Sequence, residues 1–158
     1  MKTLKELLNT LPQQGIVQWI GVRPERRQDM QALDNVTASP DTGLTGDRYS
    51  GRTGQRQVTL LQAEHLDTIA SCVGRESIEP MLLRRNIVVK GLNLLALKNQ
   101  NFLVGEVELE FTGMCHPCSR MEELLGPGGY NAVRGHGGIT ARVLTAGKIC
   151  VTDRVRCS

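Results

Sequence analysis

Residues 102–118 read Phe-Leu-Val-Gly-Glu-Val-Glu-Leu-Glu-Phe-Thr-Gly-Met-Cys-His-Pro-Cys. Two runs of β-prone residues, Phe102–Val104 and Val107–Phe111, flank Gly105 and predict a pair of strands. In the second run Val107, Leu109 and Phe111 alternate with Glu106, Glu108 and Glu110. That period of two puts one face toward a core and the other toward water. The strand leads into Cys115-His116-Pro117-Cys118. Ser119-x-x-Glu122 then has the form of a capping box, which predicts a helix from about Ser119 to Leu125 with Met121, Leu124 and Leu125 on its apolar face. Cys118 is thereby expected beside the helix N-terminus, where unsatisfied N–H groups favour a thiolate, the form that ligates metals and attacks electrophiles. Arg120 adds positive charge nearby.

Outward from this stretch the chain reads as short strands joined by loops. Residues 2–11 predict a short amphipathic helix stopped by Pro12. Gly15–Val22 and Gln57–Leu61 predict strands, and the segment from Arg23 to Arg56 is loop-rich with a short strand near Val36. Ala63–Val73 carries Leu66, Ile69, Ala70 and Val73 at helical spacing. A short helix over Ile78–Arg84 precedes the strand Ile87–Val89. Gly128-Gly129 opens a further loop or helix, and Ala141–Leu144 with Lys148–Val151 predicts a last hairpin about Ala146-Gly147. The expectation is six to eight strands and a few short helices, a mostly β chain forming a barrel or strongly bent sheet.

Composition narrows the function classes. A chain of 158 residues fits a single domain over residues 1–158. Only 3% of residues are aromatic, which argues against a base-stacking platform, and a net charge of +3 is too weak for an ordinary nucleic-acid footprint. Arginine outnumbers lysine, which suits bidentate recognition of a small anion. No apolar run reaches the length of a membrane span, and the N-terminus lacks the apolar core of a signal peptide. The five cysteines, at 72, 115, 118, 150 and 157, are therefore expected to be reduced thiols of a cytoplasmic protein.

The Cys pair alone admits three functional readings. A strand, a Cys-x-Pro-Cys and a helix is the local pattern of a thioredoxin-like redox site, yet no βαββα pattern follows. A structural zinc site needs two more ligands, and His65, His116 and His136 are the available histidines without a second paired motif. The third reading is one functional thiolate at Cys118 with Cys115 as its neighbour. Two inert buried cysteines are the bland alternative.

The stretch 104–118 resembles the MOSC domain, the molybdenum-cofactor sulfurase C-terminal domain. Further segments are similar in order and spacing: Leu44-Thr45-Gly46-Asp47-Arg48-Tyr49, Arg56 through Glu64, Arg84 through Gly91, and Gly137 through Leu144. Together they cover roughly residues 15–156.

The resemblance implies a MOSC-type β-barrel and a functional cysteine at Cys118. In sulfurases of this family that cysteine relays sulfur; in reductase members it ligates molybdenum. Some stand-alone bacterial members reduce 6-N-hydroxylaminopurine. The implied function is a molybdenum-cofactor (molybdopterin) protein reducing N-hydroxylated small molecules, with Cys118 as metal ligand. The alternative is a sulfur carrier holding a persulfide on Cys118 and receiving sulfur from a donor protein, a desulfurase. Electrons for a reductase would come from a separate donor protein, and the cofactor can be lost on purification. Neither nucleic acid nor membrane is an expected partner. Arg48, Arg56 and Arg85 are the candidates for phosphate or pterin contacts, with Asn86 either bonding the pterin or fixing a loop. Gly137 and Gly138 would allow close backbone approach to a ligand. His116 is the candidate proton carrier beside Cys118, and Cys115 a candidate redox or persulfide-resolving partner. Asp47 and Glu64 are expected to be structural.

Overall fold

A strand with alternate apolar residues must bury one face, and a sheet closed on itself buries all such faces together. The computed structural model describes residues 1–48 and 53–158, so Tyr49 of the Gly-Asp-Arg segment lies outside the described residues. In chain order it contains α1 (Leu4–Leu8), β1 (Gly15–Val22), β2 (Gln31–Leu33), β3 (Asn35–Ser39), β4 (Gly43–Leu44), β5 (Val58–Gln62), α2 (Ala63–Cys72) and β6 (Ile87–Lys90). There follow β7 (Asn101–Val104), β8 (Val107–Met114), α3 (Ser119–Leu125), α4 (Gly129–Val133), β9 (Ile139–Val143), β10 (Gly147–Cys150) and β11 (Arg154–Cys157). Single 3-10 turns occupy Pro80–Leu83 and Leu94–Leu97.

Seven strands close a barrel in the order β11-β7-β8-β9-β5-β6-β1, and β1 returns to β11 through Gly15 opposite Val155 and Ile16 opposite Arg154. β2 extends from β1 outside this ring, and β10, β3 and β4 form a second, three-stranded sheet. Every pairing in the ring is antiparallel except β5–β6. A parallel pair needs a crossover, and here it runs through α2 and the turn at Pro80–Leu83.

The barrel interior is filled by β-branched residues and leucines with two phenylalanines, Phe102 and Phe111, so the shortage of aromatics is no obstacle to a core. β5 and β6 are buried on both faces. Leu60, Ile87 and Val89 point into the barrel, whereas Leu61 and Val88 point outward under Ile69, Leu83, Met121, Leu125 and Val133. This second cluster seats α2, α3 and α4 against one side of the barrel, which is the side that carries Cys118.

The predicted β7–β8 pair forms as an antiparallel hairpin, with Val104 opposite Val107. The predicted last hairpin does not form. β9 is flanked by β5 and β8, so ring closure occupies both its edges, and β10 pairs with β3 instead. Among the described residues, eleven strands replace the expected six to eight. The additions are β2, β4 and β11, strands of two to four residues too short or too charged at alternate positions to announce themselves. α1 is shorter than expected and buries no residue; Thr3 and Glu6 make its capping box.

Asn86, at the head of β6, ties the barrel wall to the loop around Asp47. Its Oδ1 accepts from Thr59 N and Thr59 Oγ1, both at 3.0 Å, while its Nδ2 donates to Gly21 O at 3.1 Å and Asp47 Oδ1 at 3.3 Å. The residue is fully buried. Replacing Asn86 with Ala strands these buried donors and acceptors, and should lower stability by about 3 kcal/mol. Urea unfolding should show the midpoint falling with an unchanged slope.

Candidate functional site

Cys118 is itself the N-cap of α3, with extended backbone at φ −125° and ψ 175°. This corrects the expected Ser119–Glu122 box. With Cys118 at the N-cap, the third helical position is Met121, and Glu122 stands one residue too far along to reach back. Glu122 instead accepts from Gly128 N at 2.9 Å and Tyr130 N at 3.0 Å, joining α3 to the start of α4. The N–H of Tyr130, and then that of Gly128, hold its carboxyl below the ordinary glutamate range.

The two cysteines differ in environment. Cys118 is exposed, Cys115 is 2% exposed, and both are free thiols. Cys115 N donates to Gly138 O at 2.8 Å, and Arg56 Nη2 donates to Cys115 Sγ at 3.8 Å. The surrounding barrel is not a βαββα fold, so the resemblance to a thioredoxin site ends at the local pattern.

Arg85 holds the loop that carries both thiols. Its Nε donates to Gly137 O at 2.8 Å, its Nη1 to Leu83 O at 3.0 Å, and its Nη2 to Cys115 O and His116 O, each at 3.3 Å. The guanidinium is buried, and among the described residues no salt bridge to a carboxylate forms on it. Burial pulls its pKa down from the ordinary arginine value, and the neighbouring thiols of Cys115 and Cys118 pull it back up. Gly137 and Gly138 belong to the same construction. A methyl group on Gly137 would collide with the Cys115 carbonyl; one on Gly138, at φ +88°, would collide with the carbonyl of Leu60. The close backbone approach anticipated for a ligand is thus an approach of the chain to itself.

Arg48, Arg56, Arg85, His116 and Cys118 line one cleft of about 300 Å³, together with Ser119, Met121 and Glu123. Asn86 is not on its wall; its side-chain bonds all go to protein, so it fixes a loop. Among the described residues, five more arginines line the cleft: Arg23, Arg26, Arg27, Arg84 and Arg120. Sequence reading named only Arg120 of these. The available signals were three arginines within Arg23–Arg27 and the Arg84-Arg85 pair. Arg23 forms a forked bond to Asp47, Nε to Oδ1 at 3.2 Å and Nη2 to Oδ2 at 3.1 Å, and Asp47 also accepts from Arg23 N at 2.7 Å. Asp47 and Glu64 are both structural, since Glu64 Oε2 accepts from Gly91 N at 2.9 Å. Arg120 Nη1 donates to Glu123 at 2.9 Å, while its Nε is buried without a partner among the described residues.

The histidines do not assemble a zinc site with the Cys pair. His116 lines the arginine cleft, whereas His65 and His136 stack edge to face, ring centroids 5.1 Å apart, in a separate hollow of about 330 Å³. No group of three or more His, Cys, Asp or Glu able to hold a metal occurs among the described residues. A cofactor that brings its own metal ligands has different needs: one accessible thiolate and donors for its anionic groups. Cys118 in a cleft of guanidiniums, with the orphaned Arg120 Nε in its wall, fits those needs.

The family model of the MOSC domain matches residues 41–156. Among solved structures, the YUAD protein from Bacillus subtilis is similar, with a TM-score of 0.77 and 18% identity over 90% of this chain and 94% of that one. YiiM from Geobacillus stearothermophilus gives 0.71 and 16% identity over 91% of this chain and 75% of its own. YiiM from Escherichia coli gives 0.69 and 15% identity over 90% and 69%. No curated protein sequence matches.

The geometry predicts unequal thiols. Iodoacetamide labelling read by peptide mass spectrometry should modify the exposed Cys118 and Cys72 while Cys115 is protected. Arg85→Met removes the four carbonyl anchors and should raise the Cys115 labelling rate at least about tenfold through local opening of the loop.

Proposed function

This chain belongs to the MOSC domain family, and from that premise we propose that it binds a molybdenum cofactor in the arginine cleft, with Cys118 as thiolate ligand, and reduces N-hydroxylated small molecules. The observation that carries this reading is the single exposed thiol set among guanidiniums, beside a second thiol that is buried and already bonded. Molybdopterin presents a phosphate and an enedithiolate. Both are anionic, and guanidiniums recognise phosphate by charge-assisted, forked bonds.

When bound, the cofactor supplies two-electron oxygen-atom transfer. The chain supplies position and charge. The N-cap geometry of Cys118 and the carbonyl anchors on Arg85 hold the thiolate in place at the cleft wall. Arg48 and Arg56 offer donors to the phosphate. His116 is exposed next to Cys118 and holds a proton for the departing hydroxyl oxygen of an N–OH substrate. The overall change takes up two electrons and two protons, turning N–OH into N–H and water. The electrons come from a separate donor protein. No helix among the described residues is long and apolar enough to cross a membrane.

The exposure of Cys118 also favours a second reading, a sulfur carrier. A persulfide there is open to a desulfurase and is passed on by thiolate attack.

Metal and pterin analysis of protein made in a cofactor-competent host tests the first reading. Near-stoichiometric molybdenum and pterin are expected, and Cys118→Ser should cut reduction of a hydroxylaminopurine by about a hundredfold or more. Absence of both molybdenum and pterin contradicts it. Mass spectrometry after incubation with a cysteine desulfurase tests the second: a persulfide on Cys118 supports the carrier, and sulfur only on other cysteines counts against it.

A further inference from the structure

The charge in the cleft exceeds what one phosphate needs. Eight guanidiniums of the described residues line it. Asp47 answers Arg23 at 3.1 Å, and Glu123 answers Arg120 at 2.9 Å and reaches Arg27 at 3.9 Å. Asp29 is the last and weakest of the charges acting on Arg84. Among the described residues, guanidiniums thus outnumber the carboxylates that answer them. The crowding registers on Arg84: burial first, then Arg23, Arg120 and Arg48, draw its pKa below the ordinary arginine value. The guanidiniums left without a carboxylate are more than one phosphate dianion needs, and a second phosphoryl group answers them.

The arginines also fall into two tiers. Arg56 and Arg85 contact the Cys115 sulfur and carbonyl. Arg26, Arg27 and Arg48 are exposed on the rim. Single exposed ion pairs are worth little, but several guanidiniums converging on one polyanion act together and donate forked bonds.

We infer that the cleft accommodates two phosphoryl groups at once, the outer one held by Arg26 and Arg27. The inference rests on the proposed reading only in assigning the inner phosphate to the cofactor. The outer phosphoryl belongs either to a diphosphate-linked, dinucleotide form of the pterin or to a substrate carrying a phosphate monoester.

Calorimetric titration of the full chain without cofactor, at constant ionic strength, tests this with inorganic phosphate, pyrophosphate and adenosine phosphates. Pyrophosphate should bind at least about tenfold more tightly than phosphate. The Arg26→Gln/Arg27→Gln double variant should bring the two near parity while keeping the phosphate affinity and the urea midpoint of the parent. Equal affinities in the parent, or an undiminished preference in the double variant, overturns the inference and leaves the rim as a steering field. Two supporting outcomes separate the sources. Binding of adenosine monophosphate to phosphate-saturated protein places the outer group on a substrate. Displacement of phosphate by adenosine diphosphate, but not by the monophosphate, places it on a diphosphate. The assay uses no molybdenum, so it stands or falls separately from metal analysis.

Discussion

The guanidinium of Arg85 is the constraint on which the site depends. It lies buried and bonds four backbone carbonyls, those of Leu83, Cys115, His116 and Gly137. A buried charge is costly unless its donors are met. Here they are met by loops that have no other reason to converge: the turn before β6, the Cys loop after β8, and the glycine loop before β9. Removing the guanidinium would free all three. Removing either glycine's vacancy would do the same from the other side, because Gly137 and Gly138 abut the Cys115 and Leu60 carbonyls.

The barrel explains why these loops meet at all. β5 lies between β6 and β9, and β9 lies between β5 and β8, so the chain ends flanking Arg85, Gly138 and Cys115 are neighbours around one arc of the ring. α3 and α4 pack on the outer surface of β5 and β6 through Met121, Leu125 and Val133. That packing fixes the helix that begins at Cys118. Core, loop and thiol form one chain of consequence, from apolar periodicity to a placed sulfur.

Much of this was legible in residue patterns. The alternation Val107, Leu109, Phe111 announced a strand with one wet face, and Glu108 and Glu110 are indeed partly exposed. The Cys-x-x-Cys before an apolar helix pointed to a loop that lines the arginine cleft. Partnership was not legible. β9 and β10 are adjacent in sequence and read as a hairpin, yet ring closure occupies both edges of β9. Arg85 and Arg48 look alike as sequence, but only the fold shows that one is sealed against carbonyls and the other is exposed on a rim. The arginines at 23, 26, 27 and 84 were not among the expected site residues because a charge in a loop carries no sign of what it faces. The capping box failed by one position, since the sequence does not say whether Cys118 or Ser119 stands at the N-cap.

The central claim is that Cys118, held by the Arg85 anchorage among guanidiniums, is the sulfur presented to a molybdenum centre. X-ray absorption at the molybdenum edge, on cofactor-loaded protein and its Cys118→Ser variant, measures this directly. The account predicts one sulfur neighbour fewer in the variant, and no such loss in Cys115→Ser. An unchanged sulfur shell in Cys118→Ser, or a loss that follows Cys115, would contradict it.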